Sequence, residues 1–146
     1  MTRAETRSLI KTAIEVLGNQ IQFGSGRITD INKEQSKEYP FIWLESLSVS
    51  TRINNQGAYM DDWDTKINIA MKDKVDATAE ETEAIIDQCD YIAQQITKQL
   101  ADQLQDAKLV SFDNTTRTPF AHKHADDTSG VILAFTLSAP DTTNLC

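Results

Sequence analysis

"YPFIWLESLSVSTRI" (residues 39–53), with the answering run "AYMDDWDTKINIAMKDK" (residues 58–74), decides the fold of this chain. In the first run, Phe41, Trp43, Leu47, Val49 and Ile53 fall on alternate positions, interrupted by Glu45, which predicts one extended strand with an apolar face. Pro40 has no amide hydrogen and suits the start of such a strand. "NNQG" (54–57) supplies turn residues. The second run repeats the alternation through Tyr59, Trp63, Ile67, Ile69 and Met71. Together the two runs predict a long β-hairpin with one apolar and one polar side.

Helical periodicity flanks this hairpin. "TRAE" (2–5) fits a capping box, in which a Thr side chain and a Glu three residues later satisfy each other's end of the helix backbone. Leu9, Ile10, Ala13, Ile14, Leu17 and Ile21 then recur at helical spacing, predicting a helix that ends near Gly24. "FGSGR" (23–27) reads as the loop that breaks it. "TAEE" (78–81) opens a second capping box. Beyond it, Ile85, Ile86, Cys89, Ile92, Ala93, Ile96, Leu100 and Leu104 hold one stripe over a helix of residues 78–106, with Glu80, Glu81 and Glu83 near its positive end. "KLVSFD" (108–113) is a short strand, and "GVILAFTLS" (130–138), apolar on both faces, an interior one. The expected order is α-β-β-α-β-β: an α+β domain spanning 1–146, with a mainly antiparallel sheet, two helices on one of its faces and a flexible tail from about residue 139.

The chain has 146 residues and a net charge of −8. That balance excludes broad phosphate-backbone contact, so no sequence-specific nucleic-acid binding is expected, and a basic partner is favoured. No apolar run approaches the ~20 residues that cross a bilayer. The amphipathic, acid-bearing N-terminus does not read as a signal peptide, and a cytoplasmic setting is expected. Cys89 and Cys146 do not make a disulfide framework.

Chemistry concentrates in "FAHKHADDTSG" (120–130). His122 and His124 are placed to share a metal ion, with Asp126 or Asp127 as a third ligand, but a catalytic zinc site needs three protein ligands and no distant residue completes the set. A polar loop between two strands is preferred, and no cofactor is expected. Asp61, Asp62 and Asp64 around Trp63 could do acid–base work, yet a solvated strand face is preferred. "FGSGR" lacks the Lys and spacing of a phosphate loop.

Several stretches carry a family likeness. "TRAETRSLIKTAIEVL", the strand pair "YPFIWLESLSVS" and "DDWDTKINIAMKDK", the helix "ATAEETEAIIDQCDYIAQQITKQL" and the closing "FDNTTRTPFAHKHADDTSGVILAFTLS" resemble, in order and over most of the chain, the tail terminator and neck (head–tail completion) proteins of tailed bacteriophages. The resemblance implies a non-enzymatic virion protein found in the host cytoplasm during assembly. Its partners would be its own copies, in a ring such as a hexamer or dodecamer, and other neck, tail or connector proteins. Contacts are then expected from the hairpin tip (Asn55, Tyr59), the acidic strand face (Asp62, Asp64) and a loop spanning Thr115 to Ser129 (His122, Lys123, His124). The rival expectation is a small metal- or ligand-binding adaptor that uses the His122–Asp127 loop.

Overall fold

The computed structural model describes residues 2–18, 22–27, 40–53, 55–107, 111–123 and 127–140. Helix α1 (Arg3–Glu15) starts as the capping box requires: the Thr2 amide donates to Glu5 Oε2 at 2.7 Å and the Glu5 amide to Thr2 Oγ1 at 3.2 Å. It stops earlier than Gly24. The chain tightens at Leu17, leaves the helix at Gly18 with φ 117°, and so uses glycine's freedom in the left-handed region. Ile21 lies outside the described residues.

"FGSGR" is not a loop. Gln22–Gly26 forms strand β1, parallel to strand β2 (Phe41–Glu45). Gly24 allows the close approach: a Cβ there would sit 2.6 Å from the ring of Trp43, whose indole N–H donates to the Gly26 carbonyl at 3.2 Å. The strand after β2 is β3 (Ser48–Ile53), and both pair antiparallel with β4 (Tyr59–Lys72). The long helix α2 (Ala79–Ala107) opens on Thr78, whose Oγ1 accepts from the Glu81 amide at 3.2 Å. Strands β5 (Ser111–Lys123) and β6 (Thr128–Pro140) close the chain.

The architecture is α+β: the described residues form one mixed six-stranded sheet and two helices. The sheet order is β1-β2-β4-β6-β5, with β3 also on β4 and continuing the line of β2. Among the described residues, only the β1–β2 pairing is parallel. The element order is therefore α-β-β-β-β-α-β-β, not α-β-β-α-β-β. The extra strands are β1 and a division of the 39–53 run. Leu44 pairs with Ile67 and Ser48 with Asp64, so Glu45, Ser46 and Leu47 stand opposite only Thr65 and Lys66. That one-residue bulge switches which side chains face the core. Before it Ile42 and Leu44 point into the main core; after it Leu47 and Val49 do. Phe41 and Trp43 are buried outside that core, stacked with ring centroids 6.0 Å apart. They do not share a face with Leu47 and Val49 as the simple alternation predicts.

The core lies between the helices and one sheet face. Ile10, Ala13 and Ile14 of α1 and Cys89, Ala93, Ile96 and Leu100 of α2 join Trp63, Ile67, Ile69, Val131, Leu133, Phe135 and Leu137 in one cluster. Both helices thus cover the same face, and α2 spends its stripe on its own sheet. β6 is interior, flanked by β4 and β5, as its apolar composition predicts. It extends through Pro140, so residues 139 and 140 belong to the sheet and not to a tail.

Candidate interaction surface

β5 changes the reading of the closing segment. It runs 13 residues, from Ser111 to Lys123, so most of the expected loop from Thr115 to Ser129 is strand. Its β-branched Thr115, Thr116 and Thr118 suit an extended edge, where the missing amide hydrogen of Pro119 is tolerated. Two register irregularities, Asp113/Thr116 and Phe120/Lys123, bend it, and Asn114 takes φ 56° inside the first. His122 and Lys123 are therefore strand residues. Asp127 sits in the β5–β6 turn with φ 53°, while His124 and Asp126 lie outside the described residues. Among the described residues, no group of three or more His, Cys, Asp or Glu side chains is arranged to hold a metal.

The acids around Trp63 divide by strand alternation. Trp63 turns into the core, and the guanidinium of Arg3 lies 5.8 Å from its ring centroid. Asp62 and Asp64 point to the opposite face. There Asp62 accepts from Ser138 Oγ at 2.6 Å and from Arg52 Nε at 2.7 Å, and Asp64 accepts from Thr136 Oγ1 at 3.0 Å. Asp61 accepts from Thr51 Oγ1 at 2.7 Å. The Ser138 hydrogen bond, then the hydrogen bond and charge of Arg52, hold the Asp62 carboxyl below its ordinary range despite some desolvation. Asp62 and Asp64 are bound across strands to hydroxyls and one arginine, as a polar sheet face, while Asp61 lies on the face of Trp63.

The hairpin tip beyond them is solvent-facing. Asn55, Gln56, Gly57 and Ala58 are exposed. Ile53 and Tyr59, opposite each other in the ladder, keep 63% and 52% of their surface exposed. A paired aliphatic and aromatic residue left outside the core marks a contact surface better than either alone.

A buried carboxylate occupies the other end of the sheet, a feature not read from the sequence. Asp73, just after β4, accepts from Thr82 Oγ1 at 2.8 Å and Ser129 Oγ at 2.9 Å, and its other oxygen from the Lys74 amide at 2.8 Å. It ties β4, α2 and β6 together. The signal available was a lone Asp between a strand and a capping box. Nearby, Cys89 is fully buried and burial pushes its thiol up to about 12, so it stays protonated and is no nucleophile. A groove of about 420 Å³ is lined by Pro40, Met71, Asp87, Gln88, Tyr91 and Ile92.

No protein-family model matches the chain, and no curated protein matches it in sequence. No helix among the described residues is long and apolar enough to cross a membrane.

Proposed function

We propose that this chain is a structural subunit of a tailed-phage neck or tail end, acting by assembling into a closed ring that caps the tail or joins it to the head. The exposed Ile53–Tyr59 pair at the tip of the β3–β4 hairpin carries the proposal: a rigid, sheet-anchored arm ending in apolar surface suits contact with a neighbouring subunit. The likeness of the chain's strand and helix runs to the tail terminator and neck proteins supports the same reading. In a ring each subunit offers two different surfaces and the rotation closes. The work is done by shape, so no catalytic group is required. The net charge of −8 suits a channel wall that does not grip DNA.

Multi-angle light scattering with negative-stain images of the purified chain, alone and with tail tubes or connectors, tests this. Rings that the double variant Ile53→Ser/Tyr59→Ser loses, at an unchanged melting temperature, are expected. A chain that stays monomeric under every condition, with no ring on the particles, would end the proposal.

A further inference from the structure

The two lateral edges of the sheet near the hairpin are built differently. β5, on one side, carries Pro119, two register irregularities and a left-handed Asn114, all devices that spoil pairing with a further strand. On the other side, β1 covers β2 alone, and β3 pairs only with β4 among the described residues. β3 is regular over Ser48–Ile53, exposed along nearly all its length, and free of proline and lysine. Val49, Thr51 and Ile53 are β-branched, which favours extended backbone. Its single cation, Arg52, is turned onto Asp62 at 2.7 Å and does not guard the edge.

We infer that the open edge of β3 accepts one more strand, contributed by an extended basic segment of a partner protein. Each free edge residue presents a backbone donor or acceptor that an added strand satisfies. The side chains flanking the edge define the segment. On the Val49–Thr51–Ile53 side, Val49 packs against the core and Ile53 leaves apolar surface exposed, which calls for aliphatic residues. The Ser48–Ser50–Arg52 side adjoins Asp62 and Asp64. On that side Asp64 accepts from the Thr136 hydroxyl and Glu45 from the Asn68 amide, neutral donors that cancel no charge, while Asp61, opposite Thr51, lies on the other side. An added strand would lie about 10 Å from the β4 carboxylates, two inter-strand spacings away and within reach of partly screened attraction. A segment alternating aliphatic residues with Lys or Arg fits both sides. A second copy fits worse, because each copy brings a net charge of −8 to the same place.

The test uses the full chain and a capped eight-residue peptide alternating lysine and valine, read by amide hydrogen exchange. The expected result is that alternate amides of β3 exchange about tenfold more slowly with peptide. An aspartate–valine peptide, and the lysine–valine peptide methylated at every amide nitrogen, should leave them unchanged. Ser50→Lys, at an exposed serine, should weaken the peptide about tenfold. Equal protection by the methylated peptide, protection that misses β3, or no protection would overturn the inference. So would a dimer of the free chain that Ser50→Lys dissolves, which would assign the edge to a second copy. The inference shares Ile53 with the ring reading, so the peptide is tested on the unassembled chain: β3 protection in a chain that never forms rings sinks the ring alone, and an unassembled β3 that ignores the peptide in a chain that forms rings on tail tubes or connectors sinks the edge alone.

Discussion

The two ends of strand β4 use the same side chain for opposite purposes. At its finish, Asp73 is buried and holds two hydroxyls and a backbone amide, locking the start of α2 onto β6. At its start, Asp61, Asp62 and Asp64 lie half-buried or exposed and bind across strands in water. Burial makes a hydrogen bond expensive to lose, whereas solvent replaces a lost surface partner. The Asp73 end should therefore govern stability, and the hairpin end should be free to serve contacts.

The largest effect should come from Gly130→Ala, close to Asp73. A Cβ at this position would lie 1.9 Å from the Ile69 carbonyl oxygen, which is backbone and cannot swing away. A loss of about 3 kcal/mol or more by urea denaturation is expected, or a failure to fold. Next, Asp73→Ala removes the acceptor that the Thr82 and Ser129 hydroxyls share and should cost about 2–3 kcal/mol. Asp73→Asn keeps an acceptor and should cost less; an Asp73→Ala variant that melts like the parent would erase the contrast between the ends.

The smallest effect belongs to Asp62→Asn, at about 1 kcal/mol or less, because Arg52 is half exposed. Its sign with pH is fixed. The folded-state carboxyl titrates below its unfolded value, so the stabilisation is complete above the ordinary carboxylate range near pH ~4 and disappears as the pH falls through the folded value. The melting-temperature gap between parent and variant should therefore be constant from pH 7 to 5 and close at lower pH. A gap that widens on acidification would contradict the Ser138 and Arg52 assignments.

Periodic features were legible in the sequence. The first capping box, the Thr78 N-cap, the α2 stripe from Cys89 to Leu100, the hairpin and the interior position of β6 all follow from local spacing that tertiary packing reinforces. What escaped has a different physical origin. β1 owes its extended form to an edge on β2 and to Gly24 yielding room for Trp43, a contact between segments far apart in the chain. β5 looked like loop because Pro119, Asn114 and a run of threonines are also turn chemistry; pairing with β6 decides the matter. Of the candidate site, the outward placement of Asp62 and Asp64 was read from alternation. Their Thr136, Ser138 and Arg52 partners come from other strands and carry no local signal.

The bulge at Glu45–Leu47 also makes chain length at this point count in parity. Losing or gaining one residue there would turn β3 over, sending Ser48 and Ser50 toward the core and Val49 away from it. A change of two would restore the alternation. Lineages of this protein should therefore vary here in steps of two residues or not at all, while the hairpin tip eight residues on can drift one residue at a time.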